Sequence, residues 1–440
     1  MTEHEILALL NGIRLLADEI PFDIQEINKL GLIKKELGLN NYNCLRCGNN
    51  DKNKFGKHFC LRCNNICYYC KNCIMMGKLS SCSELYSGPS TNTLEPTNKN
   101  YLNYDGEFTD EQKTASTKVI ETIKQKSQLL IWAVCGAGKT EIIFPGLNFA
   151  LQKGLNICLA TPRTDVVHEL TPRLKKAFPE IEITSLFGGS ENKYKNSPIT
   201  ISTTHQLLRF YKKFDVLILD EIDAFPYNYD KSLQYAVNNA RKDDSTFIML
   251  SATPPNSINY NQQINKVIIP KRYHGNPLPL PKLEWIGDWE KSLLTKNNVP
   301  KKLQDFIEHS IREGRKPIVF VPNIPIGSVL QDKISESKFV YSSHENRKRI
   351  VEEFKEGKLK CLITTTILER GVTIPFVDVA VLGADDEIFN ETALVQIAGR
   401  VGRKKEDTSG RVIFFHNGKT NEILKSIKHI KKINRLGGFE

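Results

Sequence analysis

Ala133-Val134-Cys135-Gly136-Ala137-Gly138-Lys139-Thr140 is the stretch whose reading decides the fold. It follows an apolar run, Leu129-Leu130-Ile131-Trp132, that reads as a buried strand, and it precedes a segment, Thr140 to Leu151, that can run as a helix. Strand, glycine loop, Gly-Lys-Thr and helix together wrap a polyphosphate. Gly136 and Gly138 let backbone N–H groups converge, Lys139 neutralises the outer phosphates, and the Thr140 hydroxyl ligates Mg²⁺. Ala133 stands where the motif usually has Gly, and Ala137 completes the loop. An ordinary strand–helix turn would leave a buried lysine with no obvious partner, so the loop predicts an ATP site.

Outward from this loop, strands and helices alternate from 129 to about 270. Strands are expected at Leu129–Val134, Asn156–Ala160, Ile199–Ser202, Val216–Leu219 and Thr246–Leu250. Such alternation predicts a parallel sheet covered on both faces, with ligand groups at the carboxyl ends of its strands. Asp220-Glu221-Ile222-Asp223 follows one strand directly: Asp220 is expected to hold Mg²⁺ through water and Glu221 to activate the attacking water. Thr161-Pro162-Arg163 and Ser202-Thr203-Thr204 end two others, where hydroxyls and an arginine suit phosphodiester contact without reading bases. Ser251-Ala252-Thr253 ends a further strand and is expected to couple the two functions. His205 alone reads as a capping or packing residue.

A proline-rich stretch, 276–300, reads as a connection to a second alternating unit with strands at Pro317–Val321, Leu359–Ile363, Val377–Leu382 and near Arg411–Phe415. It has no second phosphate loop. It carries Thr364-Thr365-Thr366-Ile367-Leu368-Glu369-Arg370-Gly371 and Gln396-Ile397-Ala398-Gly399-Arg400-Val401-Gly402-Arg403. Arg400 and Arg403, three apart, are expected on one helical face, entering an ATP site made by the other domain to stabilise γ-phosphate charge.

Upstream, residues 1–43 look helical, with apolar spacing at Ile6, Leu9, Leu10, Ile13 and Leu16 and a second amphipathic piece from Asp23 to Leu37. Eight of the eleven cysteines then crowd into 44–85: Cys44, Cys47, Cys60, Cys63, Cys67, Cys70, Cys73 and Cys82. Thiolates two residues apart suit tetrahedral Zn²⁺, and a metal folds a segment too short to bury its own core. No βαβ context supports a redox Cys-x-x-Cys. Eight thiolates allow one or two zinc ions, and spacing does not fix which cysteines partner which. Cys135, Cys158 and Cys361 sit singly in apolar runs and read as core residues. Residues 86–100 read as a polar linker, and a helix opens at Thr109 or Asp110, with Gln112 placed to read an adenine edge.

At 440 residues, 40 % hydrophobic and 25 % charged, the chain is expected to be globular with two or three domains. Its net charge of +11 leans toward a polyanionic partner. Glu3, Glu5, Asp18 and Glu19 fill the place of a secretory signal, and no run reaches membrane-spanning length, so the cytoplasm is expected.

Taken in order, Ala-x4-Gly-Lys-Thr, Thr-Pro-Arg, Asp-Glu-Ile-Asp, Ser-Ala-Thr and Gln-x-x-Gly-Arg-x-Gly-Arg resemble the superfamily-two helicases of the DEAD/DEAH-like group over roughly 101–430. The resemblance implies an α/β chain of two RecA-like parallel-sheet domains in tandem, 101–275 and 301–440, preceded by a small zinc-binding module and an N-terminal helical segment. More narrowly, Ile131 to Thr140, Ala160 to Val167, Ser202 to Arg209, Asp220 to Pro226, Thr364 to Thr373 and Cys70 to Gly77 resemble the ComFA family, ATP-driven DNA-uptake proteins of competent Gram-positive bacteria. That resemblance implies a zinc site on Cys44, Cys47, Cys70 and Cys73, with Cys60, Cys63, Cys67 and Cys82 as additions that could build a second. It also implies ATP hydrolysis stimulated by single-stranded DNA and a place at the cytoplasmic face of the membrane. ComFC, DprA and the ComEC channel are the partners it suggests, along with self-association. Grip is expected from Thr161–Arg163 and Ser202–Thr204 against Thr365. The rival readings are a replication-restart helicase resembling PriA, whose cysteines sit within the second motor domain, and a zinc-dependent scaffold with a vestigial ATPase.

Overall fold

The computed structural model describes residues 3–21, 23–29, 31–191, 195–368 and 374–439. Residues 369–373, with the Glu369-Arg370-Gly371 string, lie outside the described residues. Two compact units divide the chain: 1–131 with 140–267, and 132–139 with 268–440.

The first sheet has seven strands in the spatial order Ile183–Leu186, Ile199–Thr203, Ile157–Thr161, Phe214–Leu219, Arg241–Ser251, Gln128–Ala133 and Asn265–Ile269. The first five pair in parallel. Ile157 to Ala160 and Val216 to Leu219 are buried without alternation, as parallel strands covered on both faces must be. The helix before the phosphate loop runs Asp110–Gln125. Thr109 and Gln112 close a capping box at its start, and Lys126 ends it in the left-handed region at φ +49°. The helix expected over Thr140–Leu151 forms as two, Lys139–Ile142 and Phe144–Gln152. Pro145 enters at the first turn of the second and has no N–H to continue the first.

Residues 1–87 differ from the expected helical segment followed by a separate cysteine module. Among the described residues the α-helices here are Glu3–Leu9 and Ile24–Lys29. Gly12 at φ +61° and Gly31 at φ +64° stop them, and the chain turns into strands Arg14–Leu16 and Lys34–Leu37. Strand Glu84–Ser87, from beyond the last cysteine, pairs antiparallel with both, so the two segments interleave in one sheet. Two hairpins, Leu39–Asn40 with Asn43–Cys44 and Phe55–Cys60 with Asn65–Cys70, carry most of the cysteines.

This module shares a core with the first sheet. Ile6, Leu10, Ile13, Cys44, Cys47, Cys70 and Cys73 join Leu217, Leu233, Val237 and Met249 in one buried apolar cluster. Across the seam Tyr211 N–H donates to Gly12 O at 2.9 Å, the Tyr235 hydroxyl donates to Leu45 O at 3.1 Å, and the Arg14 guanidinium lies 3.4 Å over the Tyr211 ring. The expected linker, 86–100, is a strap rather than a free tether. Gly88 N–H bonds Leu10 O, Thr91 N–H bonds Asn11 Oδ1, and Thr97 N–H bonds Gln152 O, at 3.2, 2.9 and 2.8 Å.

In the second unit six strands order as Lys282–Trp285, Val412–His416, Val377–Leu382, Lys316–Phe320, Cys361–Thr364 and Ser337–Val340, every neighbouring pair parallel. The stretch expected as a mere connection, 276–300, therefore supplies an edge strand, and helix Trp289–Lys296 sends Trp289 and Leu293 into the core with Phe306, Val319, Ile363 and Phe415.

Candidate functional site

Gly136 and Gly138 lie at φ +84° and +74°, the region a phosphate loop needs and L side chains avoid. Lys139 Nζ folds over the loop and donates to Ala133 O at 3.3 Å, while Thr140 is buried at the head of the next helix. Cys135, read as core, is buried within the loop itself, and its thiol donates to Gln396 Oε1 at 3.0 Å. Gln112 is buried and its Oε1 accepts the Thr109 N–H at 2.8 Å, so any adenine contact would fall to its Nε2 group.

The acidic turn is built at the end of strand Phe214–Leu219. Asp220 N–H bonds Ala160 O at 2.8 Å, and Glu221 sits at φ +57°, its N–H donating to Asp220 Oδ1 at 2.9 Å. A glutamate held left-handed is a strained residue that surrounding structure must fix. Asp223, two residues on, ties the acidic turn to the neighbouring strand end: its two carboxylate oxygens accept Ser251 Oγ at 2.6 Å and Thr253 Oγ1 at 2.9 Å, all three residues buried. The Ser-Ala-Thr turn and the acidic turn are therefore joined by two buried hydrogen bonds.

Arg400 and Arg403 are not on a helical face. The helix ends at Ala398, Gly399 caps it, and Gly402 at φ +64° turns the chain again, so both arginines project from a turn. Gln396 and Arg400 are buried and Arg403 is half-buried. Sequence reasoning missed the residue that holds this turn. Arg272 is 1 % exposed, and its guanidinium donates to Val401 O at 2.7 Å and also to Gly402 O, while His274 Nε2 meets Gly402 O at 3.0 Å. Burial brings the Arg272 pKa down to about 10, which still leaves it charged at neutral pH. Its only sequence signal was a basic, aromatic cluster, Lys271-Arg272-Tyr273-His274, at the end of the first expected domain.

The strand-end hydroxyls expected to grip DNA are buried: Thr161, Ser202, Thr203 and Thr204 all lie inside, as does Pro162. Ser202 Oγ donates to Thr203 O at 2.9 Å, whereas Thr161 Oγ1 and Thr204 Oγ1 have no hydrogen-bond partner among the described residues. Arg163 and Thr365 are half-buried. His205, expected to be packed, is exposed on the short helix Thr204–Arg209.

The eight clustered cysteines separate into two groups, Cys44, Cys47, Cys70 and Cys73, and Cys60, Cys63, Cys67 and Cys82, each with its sulfurs within 4.8 Å of one another. Tetrahedral zinc with Zn–S bonds of about 2.3 Å puts sulfurs roughly 3.8 Å apart. The Cys44–Cys73 and Cys47–Cys70 separations are both 3.7 Å, and those of Cys60–Cys82 and Cys63–Cys67 are 3.5 and 3.3 Å. Both groups could hold a metal ion. The first is braced by Arg46, whose Nε and one terminal nitrogen each lie 3.3 Å from Cys73 Sγ, with further bonds to the Cys73, Met76 and Gly77 carbonyls. Crowding splits these thiols: hydrogen bonds from Cys44, Cys47 and Cys73 pull the Cys70 pKa down, while bonds to Cys47, Cys70 and Cys73 push that of Cys44 up.

Comparison with known proteins follows this division. Residues 1–87 match the competence protein ComFA N-terminal domain, 113–260 the DEAD/DEAH box helicase, and 298–405 the helicase conserved C-terminal domain. The competence protein ComFA of Bacillus subtilis (strain 168) is 45 % identical over 98 % of this chain and 96 % of its own length. Its counterpart in Streptococcus pneumoniae R6 is 38 % identical over 87 % and 92 %. Among solved structures, S. cerevisiae Dbp5 bound to RNA and ADP BeF3 matches with a TM-score of 0.53 at 18 % identity, over 75 % of this chain and 92 % of that one. Mycobacterium smegmatis helicase Lhr bound to ssDNA and AMP-PNP gives 0.54 at 16 %, over 76 % and 51 %; likeness at this identity speaks to the fold. The two sheets are those of an ATP-dependent enzyme of the helicase superfamily. With a relative so similar along nearly its whole length, the chain belongs to the ComFA family of competence proteins.

Proposed function

We propose that this protein is a DNA-stimulated ATPase that moves along single-stranded DNA and helps draw transforming DNA into competent cells. Lys139 binds the outer phosphates of ATP, and Gln112 meets the adenine. Thr140 and Asp220 hold Mg²⁺, which when bound shields the phosphate charge. Glu221 takes the proton of the attacking water, and Arg400 and Arg403, positioned with Gln396, neutralise charge that develops on the γ-phosphate.

The observation that carries this reading is the buried Asp223 carboxylate bound to both Ser251 and Thr253. Through it, a displacement of Glu221 on hydrolysis reaches the end of the neighbouring strand, and the strand ends are where a nucleic acid would be held. Arg163, Thr365 and backbone amides are the less buried contributors to that grip. Thr161, Ser202, Thr203 and Thr204 shape the turns beneath it, and the unpartnered Thr161 and Thr204 hydroxyls become available when those turns shift. Phosphate grip makes binding nearly sequence-blind and sensitive to salt. Both cysteine groups hold Zn²⁺ in this reading. ComFC, DprA and the ComEC channel are the partners proposed, at the cytoplasmic face of the membrane. No helix among the described residues is long and apolar enough to cross one.

Lys139→Ala and Glu221→Gln are expected to abolish ATP turnover while leaving single-stranded DNA binding intact. The paired change Ser251→Ala with Thr253→Ala is expected to leave ATPase activity and stop movement along the strand, read by displacement of streptavidin from a biotinylated end. Loss of DNA binding in the first two variants would mean the grip has been assigned to the wrong residues.

A further inference from the structure

A pocket of about 350 Å³ opens on the cysteine module, away from the strand ends of the motor sheet, lined by Leu37, Leu39, Tyr42, Phe55, Tyr68 and Ser81, with Asn40 and Asn41 at its rim. Its size falls in the range of sites for small aromatic ligands. Leu39 and Phe55 are buried and make the floor, while Tyr42 and Tyr68 are half-buried walls. The Tyr42 ring meets Phe55 edge-on at 5.4 Å and Tyr68 at 4.9 Å. Lys52 Nζ lies 5.7 Å from the Tyr42 ring and Lys57 Nζ 5.2 Å from the Tyr68 ring, both lysines exposed.

The backbone under this pocket is held against its preference. Asn41 and Tyr42 form the two-residue turn between strands Leu39–Asn40 and Asn43–Cys44, with φ of +44° and +60°. That turn wants glycine at its second position, and a tyrosine there is an outlier. It persists because the ring is seated between Phe55 and Tyr68. Strain kept in place by packing marks ligand clamps.

We propose that this pocket binds one unstacked nucleobase of single-stranded DNA, with the Tyr68 ring as its stacking face, Tyr42, inclined 68° to that ring, as the edge-on wall beside it, and Lys52 and Lys57 on the flanking phosphates. The proposal rests on the reading of the chain as a single-stranded DNA translocase and adds a second holding point outside the motor sheet. Planar aromatic walls suit any base, and the Asn40, Asn41 and Ser81 side chains supply donors and acceptors to a base edge. An aromatic peptide side chain would fill the same space. The charge favours a nucleotide: from Cys44 to Cys82 the exposed lysines Lys52, Lys54, Lys57, Lys71 and Lys78 stand against Asp51 alone.

The test uses the full chain and an oligo(dT) strand carrying 5-iododeoxyuridine, irradiated to crosslink bases to the side chains they stack on. Crosslinks are expected at Tyr42 or Tyr68. Tyr68→Leu and Tyr42→Leu should each weaken oligo(dT) binding about tenfold, raise the DNA concentration needed for half-maximal ATPase stimulation, and leave the turnover rate at saturating DNA unchanged. Zinc content equal to wild type shows that the module is folded. Crosslinks confined to the motor domains, or unchanged affinity in both folded variants, would overturn the pocket alone. Failure of the wild-type chain to bind oligo(dT) would overturn the translocase reading and the pocket with it.

Discussion

The same four-cysteine chemistry occurs twice within forty residues, and the two copies stand in opposite surroundings. Cys44, Cys47, Cys70 and Cys73 are no more than 3 % exposed and belong to the apolar cluster that continues into the motor sheet. Cys60, Cys63, Cys67 and Cys82 gather at the far end of the hairpin, where Cys63 and Cys82 are half-exposed and Leu61 and Ile66 face solvent. Arg46 braces the first group from inside, whereas the nearby Arg62 reaches out to Asp18 on the surface at 2.7 Å. A metal in the first group would hold a core that two domains share. One in the second would hold only a hairpin tip. Identical ligands thus carry unequal structural weight, set by what is packed around them.

That inequality can be broken most directly at the first group. Cys44→Ser with Cys73→Ser is expected to remove one zinc per chain and lower the unfolding midpoint by on the order of 10 °C, because it opens a core common to module and motor. Calorimetry with metal analysis reads both. One zinc lost with an unchanged midpoint would erase the distinction. Arg46→Met should come next: it leaves the cysteines in place but strips their buried cation, at a cost of roughly 3 kcal/mol, and zinc should pass to a chelator faster than from wild type. A smaller effect is expected from Cys60→Ser with Cys63→Ser. One zinc should again be lost, yet the midpoint should move by no more than about 3 °C, and new protease cuts should fall between Leu61 and Ile66.

Which cysteines group together was not legible in their spacing, because hairpin register decides it. Phe55 pairs with Cys70 and Cys60 with Asn65, so Cys60 and Cys70 sit at opposite ends, five residues apart along the strand direction. At about 3.4 Å per residue that is some 17 Å, too far for one metal. The motor was easier to read, since its phosphate loop and acidic turn each follow a continuous apolar strand. The strands that escaped notice, Ile183–Leu186, Asn265–Ile269, Lys282–Trp285 and Ser337–Val340, are the edges of the two sheets. An edge strand has one neighbour and one exposed side, so its sequence need not be uniformly apolar. Arg400 and Arg403 were drawn onto a helix because their spacing fits one, but the helix ends at Ala398 with Gly399 as its cap, and Gly402 turns the chain between the two arginines. The clamp by Arg272 was illegible for a different reason: a buried arginine looks like any surface arginine until the carbonyls it serves are assembled by a segment 127 residues away.

The finest test of the comparison concerns the seam rather than the metal. If the first cysteine group matters because the module and the motor sheet share a core, then weakening the seam at a residue that is not itself a cysteine should reproduce a small part of the same loss. Tyr211 is such a site: its ring lies under the Arg14 guanidinium at 3.4 Å, while Arg14 also bonds Glu36 at 2.9 Å and Leu45 O at 3.2 Å. Tyr211→Leu keeps apolar volume and removes only the attraction between ring and cation, worth about 1 kcal/mol. The expected result is a midpoint lower by a few degrees with full zinc content, and a module that exchanges its amide hydrogens faster at Arg14–Leu16 than wild type does. Arg14 remains paired with Glu36 in this variant, so the charge is not stranded and the effect stays small. Were exchange to quicken at the Cys60–Cys67 tip instead, the hairpin end and not the seam would be the part coupled to the motor, and the order of the two cysteine groups would have to be reversed.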